Sequence, residues 1–461
     1  MPQQKTAKNV LFIIVDDLKP LLGCYGDQYA QTPNIDRLAA TGRVFDRAYC
    51  QEAVCAPSRA SFMTGKRPDQ LKIWGLTQPL RSLHPNIITL PQYFKNNGYT
   101  TAAAGKIYHD PPAHHDPASW SWPALLGTTT NDQGAKYALA ENAGKAKAAA
   151  TERAPVEDSG YIDGKVADAA IGLLTKLKDQ PFFLAVGFRR PHLPFTAPDR
   201  YWKLFDDKQL PAPDTTLPGN APAIAFHNSQ ELRGYTDIPE KGPIPANKIT
   251  ELLHGYYAAV SYTDAQIGKL LNALDRLNLT RNTIIVLLSD HGFHLGEQGI
   301  WGKSTNFENA TRVPLIINAP GLDQPGHTAA LTELVDLFPT LTSLCVLKTP
   351  RHLAGVSLEP VLKNSAGTVK PFAFSQFIRP YAALSDTAKM KIMGYSLRSD
   401  KYRYTEWYNS ETNTVIATEL YDHDADPNEM NNQAAQPAYA NMVKELHKEL
   451  LISIIDNKKD Q

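Results

Sequence analysis

Four short apolar runs, each ending abruptly in charged or polar residues, constrain this chain more than any other feature of its sequence. Asn9 to Val15 is continuous and stops at Asp16-Asp17. Thr100 to Ala104 leads into Gly105-Lys106-Ile107-Tyr108-His109, and Phe182 to Val186 leads into Gly187-Phe188-Arg189-Arg190-Pro191-His192. Thr283 to Leu288 ends in Ser289-Asp290-His291-Gly292. Continuous rather than alternating apolar runs mark strands covered on both faces, as in a parallel sheet. In open α/β sheets function gathers at the carboxyl ends of such strands. The expected fold is therefore α/β, a large mixed, mostly parallel sheet sandwiched by helices.

Helical patterns supply the covering layers. Val166, Ala170, Leu173 and Leu177 trace one face, and Leu253, Tyr256, Val260, Ile267 and Leu271 trace another on a helix from about Asn247 to Leu277. Shorter helices are expected from Thr89 to Asn97, from Leu334 to Leu344, and after Thr32, with Thr32 as cap, Pro33 at the first helical position and Gly42 at the end. Residues 110–160, including the Ala/Lys/Gly-rich stretch from Gly134 to Ala150, read as an excursion near the site mouth. Trp120 and Trp122 there suit either packing or a sugar ring. Pro211 to Pro245 is a Pro-rich covering loop. Beyond about Arg351 short alternating runs (Tyr395 to Arg398, Lys401 to Tyr404, Thr418 to Tyr421) predict an antiparallel sheet, closed by a helix from about Pro437. Residues 1–350 are thus expected to form the main domain and 351–461 a small C-terminal antiparallel α+β subdomain.

Lys plus Arg and Asp plus Glu each number 47 in 461 residues, so no global field favours nucleic acid or a membrane surface, and anion recognition must be local. No apolar run reaches the length of a membrane span. Four cysteines, Cys24, Cys50, Cys55 and Cys345, are too few for a disulfide scaffold. Asp16 and Asp17 read alone as a solvated turn or as hard oxygen ligands for Ca²⁺ or Mg²⁺.

The stretch Cys55-Ala56-Pro57-Ser58-Arg59 places a thiol at a helix start, since Pro57 is tolerated in a first turn. Free N–H groups there and Arg59 one turn on suit a sulfate or phosphate. A buried structural cysteine is the other reading of the pentapeptide, and both stay open on these residues alone.

Followed by Ala60-Ser61-Phe62-Met63-Thr64-Gly65, this stretch resembles the signature of type I sulfatases, in which the cysteine is oxidised to formylglycine. Thr32-Pro33-Asn34-Ile35-Asp36, the Pro191-His192-Leu193-Pro194-Phe195 loop, Asp290-His291-Gly292 through Gly302-Lys303, and Leu337-Phe338-Pro339-Thr340 agree in order with the iduronate-2-sulfatase-like branch of the alkaline-phosphatase superfamily. The resemblance implies one cation, usually Ca²⁺ with Mg²⁺ as the alternative, held by Asp16, Asp17, Asp290, His291 and the oxygen made from Cys55. It implies a catalytic ring of Cys55, Arg59, Lys106, His109, His192 and Lys303. In that ring one hydroxyl of the hydrated aldehyde attacks sulfur, His109 deprotonates the other, His192 and Lys303 serve the leaving group, and Arg59 and Lys106 stabilise charge.

Further implications concern substrate and partners. A 2-O-sulfated uronic acid or another sulfated sugar of a glycosaminoglycan or algal polysaccharide is the expected substrate, with Arg189, Arg190, His227, Trp301 and Trp74 as candidate contacts. A formylglycine-generating or anaerobic maturation enzyme is the implied partner. A periplasmic, secreted or lysosome-like compartment is expected, with the cytoplasm as the alternative. A phosphodiesterase or phosphonate hydrolase of the same superfamily, and a sulfated-glycan-binding protein without activity, are the competing functions.

Overall fold

The computed structural model describes residues 8–127, 136–322 and 324–458; Gly134 and Ala135, the start of the Ala/Lys/Gly-rich stretch, lie outside them. Its centre is a seven-stranded sheet in the order Gly326–Thr328, Arg43–Phe45, Leu315–Asn318, Thr283–Ser289, Asn9–Val15, Phe182–Phe188 and Thr100–Gly105. Asn9–Val15 runs parallel to both neighbours, and Phe182–Phe188 runs parallel to Thr100–Gly105. Leu315–Asn318 is antiparallel, which makes the sheet mixed.

Register matters most for function. Val15 lies opposite Phe188 and Ser289, and Gly105 lies opposite Gly187, which itself faces Ile14, so the four apolar runs end within two residues of one another. The polar residues that follow them therefore meet at one edge. Gly187 is needed there: a Cβ would stand 1.9 Å from the Lys106 carbonyl oxygen, so any larger residue would push Lys106 out of place.

Alternate side chains of the central strand serve two cores. Leu11, Ile13 and Val15 pack with the helices Pro33–Thr41, Ile162–Leu177 and Ala246–Arg276. Val10, Phe12 and Ile14 pack with Cys55–Thr64, Leu90–Asn96 and Leu337–Leu344 on the opposite face. The expected helices are present, with small shifts at their ends. One local expectation fails: Thr32 does not cap the first helix, because its hydroxyl is engaged with Asp36, and Asp264 instead accepts from the N–H groups of Asn34 (3.1 Å) and Ile35 (2.7 Å). A buried carboxylate from a distant helix has replaced the local cap.

The C-terminal sheet has four antiparallel strands, Ala373–Arg379, Ile392–Arg398, Tyr402–Asn409 and Val415–Asp422, with Leu446, Leu450 and Ile454 of the last helix, Ala440–Lys458, packed on it. The strand Ala373–Arg379 is absent from the sequence reading because every residue in it is buried, leaving no alternation to see. Arg403 ties this sheet to the main body through Glu429 and Glu308, and Arg398 joins at Glu308 (3.2 Å). No helix among the described residues is long and apolar enough to cross a membrane, and all four cysteines are free.

Candidate active site

Cys55 is the first residue of the helix Cys55–Thr64, whose ten residues are all buried. Its sulfur lies 3.5 Å from Asp16 Oδ1, 3.3 Å from His291 Nε2 and 3.9 Å from Lys106 Nζ. Burial, and after it Asp16, pushes the Cys55 thiol well above its usual range. Arg59, one turn along, is fully buried and knots three strand ends together. Its Nε donates to Asp290 Oδ2 (2.8 Å), Nη2 to Asp16 Oδ1 (3.1 Å), and Nη1 to the carbonyls of Lys106 (2.6 Å) and Ile107 (3.0 Å). Lys106 Nζ pairs with Asp16 Oδ2. Burial alone would raise the Asp16 carboxyl, but Lys106 and then Arg59 outweigh it and hold the group well below the ordinary carboxylate range.

A cation fits this edge. Ligand atoms of Asp16, Asp17, Cys55 and His291 all lie within 4.8 Å of one another. His291 Nδ1 must donate to the Gly292 carbonyl (2.9 Å), which leaves Nε2 facing Asp17 Oδ1 at 3.3 Å. Two acceptors facing each other at that distance are stable only with a hydrogen or a cation between them. Asp290 stands just behind, its Oδ2 3.7 Å from His291 Nε2 and its Oδ1 accepting from the Asp17 N–H. Charge balance agrees: the carboxylates Asp16, Asp17, Asp290 and Glu231 fully offset the cationic side chains Arg59, Lys106, Lys303 and His192, so the pocket has no surplus positive charge for an anion until a cation binds.

The remaining predicted residues divide. Lys303 Nζ reaches Asp17 Oδ1 (3.1 Å) and Oδ2 (3.0 Å), and His192 Nε2 stands 4.0 Å from Asp17 Oδ2 with its side chain 24% exposed. His109 lies deeper: burial, and then Lys106, holds its ring well below the usual histidine range, and its Nδ1 has no hydrogen-bond partner among the described residues. The proposed sugar contacts are mostly committed to protein. Arg190 is buried and donates to Thr196 and to the carbonyls of His192 and Lys136. Trp301 belongs to the apolar core, and the Trp74 indole donates to Asp69 (2.7 Å) beside the C-terminal cluster. His227 donates from Nε2 to the Lys303 carbonyl (2.6 Å) and accepts at Nδ1 from Ser229 N–H (3.0 Å), so it is a brace. Arg189 pairs with Asp110 (2.8 Å) at the partly open rim. Trp120 and Trp122 line a cleft of about 420 Å³ with Tyr108 and His115, next to the Lys106 strand end.

Sequence reasoning missed Glu231. It sits on the short helix Gln230–Arg233 within the Pro-rich loop, and its carboxylate meets both His192 Nε2 (3.2 Å) and Lys303 Nζ (2.9 Å). Nothing local marks it, since both partners come from distant segments.

Buried His294 carries a pH prediction. Burial holds it down to about 3, and its Nε2 is engaged with Thr305 Oγ1 (3.0 Å). The unfolded chain takes up that proton near the ordinary value of 6.5, so stability is intact above pH 6.5 and falls as pH drops below it. The expected loss from this residue is on the order of 4 kcal/mol by the time pH nears 3. Chemical denaturation from pH 7 to 4 should show a shallower decline in His294→Gln than in the parent; identical slopes would refute it.

A doubly covered sheet whose edge gathers a cysteine, carboxylates and fixed cations has the composition of an enzyme site that takes an anion beside a cation. The model of the sulfatase family matches residues 8–345, and that of the N-sulphoglucosamine sulphohydrolase C-terminal region matches residues 296–456. Iduronate 2-sulfatase of Homo sapiens is 37% identical, the match covering 91% of this chain and 90% of that protein. The solved structure of a protein in complex with its substrate D-glucosamine-2-N,6-O-disulfate superposes with a TM-score of 0.79 at 25% identity, covering 98% of each chain. The phosphonate monoester hydrolase of Silicibacter pomeroyi shares the fold, with a TM-score of 0.82 at 23% identity over 98% of this chain and 96% of that one. The chain belongs to the sulfatase family and is a sulfuric ester hydrolase.

Proposed function

We propose that the protein removes sulfate from a sulfated sugar, a uronate 2-O-sulfate being the first candidate, by way of a formylglycine made from Cys55 and a bound Ca²⁺. The observation that carries this reading is the meeting of Cys55 with acidic residues on one side and Arg59, Lys106, His192 and Lys303 around it. The cluster offers carboxylate oxygens, the His291 nitrogen and the Cys55 sulfur, and an oxygen on the same Cβ would suit Ca²⁺ better than that sulfur. Formylglycine, when hydrated, supplies two hydroxyls on one carbon.

The chain's own residues then have distinct tasks. Arg59 and Lys106 hold the negative charge around residue 55 in a water-poor pocket, where fixed charges act most strongly. His109, whose ring is held below the usual histidine range and whose Nδ1 has no hydrogen-bond partner among the described residues, is assigned to accept a proton on the buried side. The sugar enters from the side where His192 and Glu231 are open, with side-chain exposures of 24% and 22% against 5% for Lys303. We assign His192, at that opening, and Lys303, beneath it, to the departing oxygen. The aromatic cleft of Trp120 and Trp122 offers a stacking face for an adjoining ring.

The test is sulfate release from a panel of defined sulfated saccharides, with phenyl phosphonate as contrast, using protein whose Cys55 conversion is checked by intact mass. Release from one sugar and position is the expected result. Turnover of the phosphonate alone would move the assignment to the phosphonate hydrolases.

A further inference from the structure

Glu231 binds both groups assigned to the leaving oxygen, His192 at the opening of the pocket and Lys303 beneath it. Its Oε2 takes Lys303 Nζ at 2.9 Å while the other contacts of that ammonium go to Asp17 at 3.0 and 3.1 Å. Its Oε1 lies 3.2 Å from His192 Nε2, and His192 Nδ1 is fixed on the Leu193 carbonyl at 2.7 Å. A carbonyl and a carboxylate can only accept, so these partners call for a hydrogen on each ring nitrogen.

The helix that carries Glu231 is held independently of those contacts. Trp301 N–H donates to Ser229 Oγ (2.9 Å), and His227 links Ser229 to the Lys303 carbonyl. Leu232 is fully buried, and Arg233 donates to the carbonyls of Asn228, Pro239 and Gly242. Glu231 and Lys303 are thus stapled together through the backbone as well as through their charges. A lysine ammonium on a flexible stem is otherwise a mobile point charge. Without Glu231, Lys303 would turn wholly toward Asp17 and His192 would lose the acceptor that aims its Nε2 hydrogen.

We propose that Glu231 is a positioning residue for the leaving-group half of the reaction, holding Lys303 Nζ and His192 Nε2 against the bridging oxygen of the sulfate ester. As the attacking oxygen on residue 55 bonds to sulfur and takes the sulfuryl group, the bond from sulfur to the bridging oxygen breaks, its electron pair stays on that oxygen, and the oxygen takes the Nε2 hydrogen and departs as an alcohol, leaving the imidazole neutral. The inference rests on the assignment of His192 and Lys303 to the leaving-group side.

Leaving-group dependence separates the two. The probes are the saccharide sulfate released in the panel, whose alcohol needs a proton to leave, and 4-nitrophenyl sulfate, whose phenolate does not. Glu231→Gln is expected to lower kcat on the saccharide by about 100-fold, with KM little changed, and on 4-nitrophenyl sulfate by less than about tenfold. Glu231→Asp, which keeps the charge on a shorter arm, should show the same bias to a smaller degree, and thermal melting of both variants checks folding. His192→Ala is measured alongside. If His192→Ala shows no bias between the probes, the leaving-group assignment itself fails. If it shows the bias and both Glu231 variants lose activity equally on the two probes, the role of Glu231 is overturned. A lower KM with unchanged or higher kcat on both probes would also overturn it, identifying Glu231 as a plug in the anion site.

Discussion

Replacing Cys55 with Ala is expected to abolish sulfate release, by roughly 10⁶-fold where a nucleophile is removed from an assembled site, while the protein stays folded. The thiol is nearly inaccessible, 3% exposed, at the start of a helix whose buried body packs beneath the sheet. Losing one sulfur atom leaves a small void and a stability cost of about 1 kcal/mol. Arg59, Lys106 and the carboxylates keep their mutual contacts, since none depends on the thiol. Turnover and thermal melting measured on the same preparation decide the matter. Full activity in Cys55→Ala would remove the nucleophile assignment, whereas a collapsed melting transition would make the residue structural first.

Arg59→Ala is expected to cost both activity and fold, with a stability loss of about 3–5 kcal/mol from stranding buried carboxylates. Asp16 and Asp290 each lose a direct partner, and the carbonyls of Lys106 and Ile107 lose their donors. Arg59→Lys should recover little, because an ammonium cannot span two carboxylates and two carbonyls as the planar guanidinium does. Denaturant unfolding with saturating Ca²⁺ is the appropriate measurement, since added cation offsets part of the stranded charge. An unfolding midpoint unchanged from the parent would show that the knot at the strand ends is not what holds this edge together.

Much of the fold was legible because its signals are local. Asn9 to Val15 or Thr283 to Leu288 can be satisfied only by burial on both faces, and the polar residues at their ends mark where the buried layer stops. The placement of Cys55 at a helix start follows from Pro57 within the first turn. Where the reading failed, a contact from afar had replaced a local one. Asp264 caps the helix that Thr32 was expected to cap, and the strand Ala373–Arg379 is buried throughout, so its sequence shows no alternation. Arg190, Trp301 and Trp74 are residue types that often meet sugars, yet here their polar atoms or rings are taken up by carbonyls, core and carboxylate.

The sequence by itself determined most of the strands and helices, that charge gathers at the ends of four strands, and that Cys55 opens a helix with Arg59 one turn on. Those properties depend on residues within a few positions of one another. Only the tertiary structure decided the register that brings Val15, Phe188 and Ser289 level, with Gly105 one residue behind, and with it the distances from Cys55 to Asp16, His291 and Lys106. It alone turned His227 from a candidate contact into a brace and brought Glu231 between His192 and Lys303. Such contacts join segments that pack together only when the whole sheet and its covering loop have formed, and no pattern along the chain encodes them locally.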